Sequence, residues 1–132
     1  MSEQDRYQRG LRKIKEIYGK EWNVGFLDDI SPEFGRYTVD FLYGDVYNLE
    51  TLDARAREIA IIASLITLGN ANTPLKIHIH GALNVGCSKQ EIVGIIIQTA
   101  VYAGFPAAVN ALSVARDAFK ELDETKAESE SL

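Results

Sequence analysis

From Ile59 to Leu68 the chain reads Ile-Ala-Ile-Ile-Ala-Ser-Leu-Ile-Thr-Leu, a run with no charge and no alternation of polar and apolar residues. Asp53 stands ahead of it as an N-cap, Arg55, Arg57 and Glu58 lead into it, and Gly69 follows it, which is the punctuation of a helix. Past its first turn this helix is apolar nearly all round, so neither side can stay in water. It belongs at the centre of a bundle or in a subunit interface. The chain has 132 residues, the size of one domain, so the cover must come from the same short chain or from further copies of it.

The rest of the chain supplies more helices. Tyr7, Leu11, Ile14, Ile17 and Tyr18 form the stripe of an amphipathic helix over Arg6–Tyr18, which Gly19 ends. A shorter helix is placed over Trp22–Asp29, weakened by Asn23 and Gly25. Ser31-Pro32 offers an N-cap followed by proline at the first helical position, and Phe34, Tyr37, Thr38, Phe41 and Leu42 continue one apolar face up to Gly44. Pro74 opens a helix through His78, Ala82 and Leu83 to Gly86. Ser88-Lys-Gln-Glu91 is a capping-box pattern that launches Ile92 through Ala103, closed by Gly104. Pro106 starts the last helix, with apolar residues at Val109, Leu112, Val114 and Phe119.

Ile92–Ile97 has the β-branched composition of a strand, but the cap before it and the length of the segment favour helix. The fold class is all-α, a bundle of about six to seven helices, with a single domain over residues 1–120. The acidic, low-complexity segment Glu121–Leu132 is expected to fray or be disordered. Ile59–Leu68 and Ile92–Val101 are together more apolar than a monomer of this size covers, which predicts a homo-oligomer.

Hydrophobic residues at 46% and charged residues at 25% exclude wholesale disorder, a collagen repeat and a coiled-coil rod. A net charge of −5 has the wrong sign for a nucleic-acid binder, and the basic cluster at Arg6, Arg9, Arg12, Lys13, Lys15 and Lys20 is modest. No signal peptide or membrane span is expected, because the uncharged stretch Ile59–Thr73 is short and broken by Gly69 and Asn70. Cys87 is the one cysteine, so an intramolecular disulfide or a thiol pair is excluded, and a reducing cytoplasm is the expected location.

The catalytic inventory is short. The two histidines, His78 and His80, are the first suspects for proton transfer near neutral pH. Two residues apart on a helix, they point about 200° away from each other and cannot grip one ligand together; each alone is equally a partly buried histidine bonded to backbone. A metal site is not expected from this spacing. Glu58, at the head of the apolar helix, makes a proton relay possible if it is buried near a histidine. The alternative is a first-turn glutamate stabilised by the helix dipole or paired with Arg55 or Arg57. Cys87, between Gly86 and Ser88, is either a thiol activated near a helix start or inert packing. Tyr102 can project a hydroxyl toward a cavity or be a core residue with a wet tip.

Four blocks now stand in order: Arg57-Glu58 leading an apolar helix, Leu75–Gly86 (LKIHIHGALNVG), Ser88-Lys-Gln-Glu91-Ile92, and Val101–Asn110 (VYAGFPAAVN). Over roughly residues 30–120 the chain resembles the carboxymuconolactone decarboxylase family. That resemblance implies the AhpD-like helical fold, assembled as homotrimers or homohexamers with active sites at or near subunit interfaces. One branch of the family is linked to peroxidases and carries a glutamate, a Cys-x-x-Cys pair, and a histidine four residues after the second cysteine. Glu58 and His78 match its glutamate and histidine, but Ala71 and Pro74 stand where the thiols would be, so attacking and resolving sulfurs are both missing. The chain follows instead the decarboxylase-like pattern at His78, Gly81, Ala82, Asn84 and Gly86.

The implied reaction needs no cofactor and no metal, because the lactone ring of the substrate can itself take the electrons released as carbon dioxide leaves. His78 is then the proton donor and Glu58 sets its orientation or charge; Arg57, Lys76 or His80 would hold a substrate carboxylate, and Tyr102 is a weaker candidate donor. Other readings are a cofactor-free enzyme on another small lactone or keto acid, and a noncatalytic oligomeric binding protein. The expected partners are a small carboxylate or lactone and further copies of the chain, with neither nucleic acid nor membrane.

Overall fold

The computed structural model describes residues 2–19 and 25–131, and every regular element among them is helical. The protein is all-α. Its backbone gathers into two compact units, Met1–Ala54 and Arg55–Leu132.

In the first unit, helix α1 (Glu3–Tyr18) is capped by Ser2, whose hydroxyl accepts the Asp5 N–H at 3.1 Å, and is ended by Gly19 at φ 74°. Helix α2 (Gly25–Ile30) takes the place of the short helix expected over Trp22–Asp29, of which residues 22–24 lie outside the described residues. Helix α3 (Pro32–Tyr37) starts at the predicted Ser31 cap, but the chain then widens into a π-helical stretch, Thr38–Asp45, and a 3₁₀ turn, Val46–Asn48. Gly35, Val39, Tyr43 and Tyr47 recur every four residues and are buried, while the expected apolar stripe of Phe34, Tyr37 and Phe41 is exposed.

Glycine allows the close approach inside this unit. A Cβ on Gly10 would sit 2.1 Å from the Val39 carbonyl oxygen, so α1 rests directly on the backbone of the π-helical stretch. The Tyr18 and Tyr43 hydroxyls meet at 2.8 Å, and Asp45 ties the stretch to α1 through Arg6 and Arg9.

The second unit holds helices α4 (Ala54–Leu68), α5 (Asn72–Asn84), α6 (Lys89–Ala103) and α7 (Phe105–Ser131). Gly69 at φ 79° stops α4, and its N–H bonds back to Ile66 at 3.1 Å. The capping box at α6 forms as its sequence requires: the Glu91 N–H donates to Ser88 Oγ and the Ser88 N–H donates to Glu91 Oε1, both at 3.0 Å. Helices α5 and α7 each begin slightly earlier than expected, at Asn72 and Phe105, so Pro74 and Pro106 lie within the first turn, where a missing N–H costs nothing.

The core of this unit is built from Ile62 and Ile66 of α4, Leu75, Ile79 and Ala82 of α5, and Ile92 and Ile96 of α6. Each fully buried isoleucine or leucine contributes roughly 1.5–3 kcal/mol relative to exposure. Helix α7 presents Ala108, Ala111, Ala115 and Ala118, a narrow stripe of small side chains on which α5 and α6 pack. Beyond the core, α7 runs on to Ser131 through the segment expected to fray. Lys76 on α5 and Lys89 on α6 hold its near end through Glu121 and Asp123, and a helix already nucleated by packing extends readily through Glu, Lys and Ala.

Candidate active site

Helix α4 buries one face at Glu58, Ile62 and Ile66, so the same spacing that builds the core carries a carboxylate into it. Glu58 is 1% exposed. Opposite it, α5 presents His78, whose Nδ1 lies 3.1 Å from Glu58 Oε2 and 3.4 Å from Oε1. The side chain of His78 is 14% exposed, so the pair sits at the edge of the apolar core with the histidine on the outer side. An ionised Glu58 accepts the Nδ1–H, which fixes the tautomer and turns Nε2 away from the carboxylate. A ring held in this way can pass a proton at Nε2 while the carboxylate stabilises the imidazolium.

The other sequence candidates do not all gather here. Lys76 and His80 are one turn apart on a different face of α5 from His78, and both meet Glu121 of α7, at 2.9 Å and 3.1 Å. The Lys76 ammonium, then His80, holds the Glu121 carboxyl below its usual range, and Glu121 in turn raises Lys76. Tyr102 lies at the end of α6, 85% exposed, and Ile97, Val101, Phe105 and Val109 of α6 and α7 are exposed as well. Arg57 is half-buried beside Glu58 in the chain, but one position along a helix turns a side chain by about 100°.

Cys87 is buried, and burial pushes its thiol pKa up, with smaller opposing influences from Arg55, which lowers it, and Glu58, which raises it. That is packing rather than an activated nucleophile. Among the described residues no three His, Cys, Asp or Glu side chains are grouped to hold a metal ion. An open groove of about 710 Å³ runs along α7 from Leu112 to Ala127 beside Val93 of α6, and it includes neither Glu58 nor His78. The Glu58–His78 pair therefore lies outside this groove.

One contact near the pair had no signal in the sequence. Arg55, at the start of α4, forms an ion pair with Glu91 of the α6 capping box.

The family model described as "Carboxymuconolactone decarboxylase family" matches residues 32–117, a range that includes Glu58 and His78. The chain belongs to that family. A 4-carboxymuconolactone decarboxylase of Acinetobacter baylyi is 30% identical over 125 residues, covering 92% of each chain. A nitrosuccinic acid decarboxylase of Metarhizium robertsii is 27% identical over 125 residues, covering 88% of this chain and 82% of that protein. Peroxisomal protein 2 of Saccharomyces cerevisiae is 36% identical over 88 residues, and the match spans 31% of its length. Decarboxylases thus stand among the relatives that the chain matches over most of its length.

Proposed function

We propose that this protein is a decarboxylase of a small carboxylated lactone or related acid, with 4-carboxymuconolactone as the first substrate to test. The observation that carries the reading is the buried Glu58 bonded to His78 Nδ1 at 3.1 Å. The named substrates of the two decarboxylase relatives support it on chemical grounds. In each, a carboxylate is placed so that the electrons left by its departure flow into a group of the substrate itself, a lactone carbonyl in one and a nitro group in the other.

For the lactone, the bond between the ring carbon and the carboxylate breaks and carbon dioxide leaves. The electron pair moves through the ring double bond onto the lactone carbonyl as a dienolate. The imidazolium of His78 then delivers a proton to carbon, giving the enol-lactone, and recovers a proton from solvent. Glu58 holds the ring of His78 in register and offsets its positive charge. This division of labour asks of the protein only orientation, exclusion of water and one proton.

The exposed apolar surface of Ile97, Val101, Phe105 and Val109 supports a homotrimer or homohexamer in which further copies cover α6 and α7. Sedimentation at micromolar concentration checks this, and a stable monomer would refute it. The activity is checked by following loss of 4-carboxymuconolactone spectroscopically for the wild type and for His78→Ala at matched assembly. Turnover by the wild type and its loss in the variant are expected. A wild type inert on this lactone and on nitrosuccinate would refute the decarboxylase reading.

A further inference from the structure

We propose that Arg55 is the cation that holds the retained carboxylate of the substrate beside the Glu58–His78 pair, and that Glu91 positions Arg55 for this. The proposal rests on the decarboxylase reading and supplies the anchoring group that reading leaves open. Arg55 and Glu58 are three residues apart on α4, which places them within about 60° of each other on one helix face, whereas Arg57 lies about 100° from Glu58.

Arg55 also reaches α6, where it pairs with Glu91 Oε2. The second oxygen of Glu91, Oε1, accepts the Ser88 N–H at 3.0 Å. The carboxylate is therefore pinned by the backbone at the start of α6, and it pins the guanidinium in turn. With its side chain 46% exposed, Arg55 is accessible to a ligand, and a guanidinium with five donors can serve Glu91 and a second carboxylate together.

The chemistry decides which carboxylate it holds. A cation on the departing group would stabilise the charge that must leave it, and so would slow the reaction. On the carboxylate that stays, the same cation orients the ring without opposing bond cleavage.

The test compares Arg55→Ala, Glu91→Gln and Arg57→Ala with the wild type in turnover of 4-carboxymuconolactone and in equilibrium binding of muconolactone, which lacks the departing carboxylate. Arg55→Ala is expected to raise KM, and to weaken muconolactone binding, by about tenfold to a hundredfold, as loss of one charge-assisted contact does. Added guanidinium ion should restore part of the loss. Glu91→Gln keeps a capping residue at the third position of α6 and should raise KM only a few-fold.

If Arg55 serves only to brace α4 against α6, Arg55→Ala and Glu91→Gln will lower the melting temperature alike, with KM and muconolactone binding unchanged and no rescue, and the proposal is overturned. A larger loss in Arg57→Ala than in Arg55→Ala also overturns it. A wild type that binds muconolactone through Arg55 but turns over no lactone would keep the carboxylate site and remove the decarboxylase reading. A wild type that does neither removes both.

Discussion

Replacing Glu58 by Gln keeps the volume of a fully buried side chain and removes its charge, which isolates the electrostatic part of the Glu58–His78 contact. A hydrogen bond involving a charged group contributes about 1.5–3 kcal/mol and a neutral one about 0.5–1.5 kcal/mol, so the imidazolium of His78 loses roughly 1–2 kcal/mol of support. At about 1.4 kcal/mol per tenfold, the rate falls about 5- to 30-fold. The assay is kcat for the wild type and Glu58→Gln, with ¹⁵N shifts of the His78 ring reporting the tautomer. Stability need not fall, since a buried ion pair is weak support for the folded state when its replacement fits the same space. A variant that keeps kcat within twofold and leaves the His78 tautomer unchanged would refute a proton-holding role for Glu58.

Ile96 is 1% exposed in the core of α4–α7, and Ile96→Ala is expected to cost about 2–5 kcal/mol in urea unfolding. Gly10→Ala should destabilise the first unit despite the better helix propensity of alanine, because the new Cβ meets the Val39 carbonyl; hydrogen exchange over α1 and residues 32–45 should accelerate. For Glu121, Lys76 first and then His80 hold the folded carboxyl below its unfolded range. Its contribution is thus present above the ordinary glutamate range and lost as pH falls through the folded value. The side chain is 45% exposed, so Glu121→Gln should cost under about 1 kcal/mol at neutral pH, less in high salt, with the gap to wild type closing in acid melts.

The histidine pair illustrates how far local reasoning carries. Their opposite directions follow from helix phase alone, and the structure agrees: His78 meets Glu58 and His80 meets Glu121. The identity of those partners, twenty and forty-one residues away, is a matter of packing that no local spacing encodes. The Phe34–Tyr37–Phe41 stripe marks the opposite case. Its period suits an α-helix, but the face that packs is already that of Gly35 within α3 and continues through Val39 and Tyr43. The resemblance linked Glu58 with His78, yet it gave no sign that Arg55 would cross to Glu91.

By itself the sequence determined the all-helical class, the Ser88–Glu91 cap, the stops at Gly19, Gly69 and Gly104, and the absence of a thiol pair. Each depends on groups within about four residues of one another, where a hydrogen bond or a left-handed turn closes locally. Tertiary structure alone decided that Glu58 is buried against His78, that Lys76 and His80 share Glu121, and that α7 stays helical to Ser131. These arrangements depend on which helix faces meet, and that is settled by the fit of Ile79 and Ile96 to the alanine stripe of α7 rather than by any single stretch of chain.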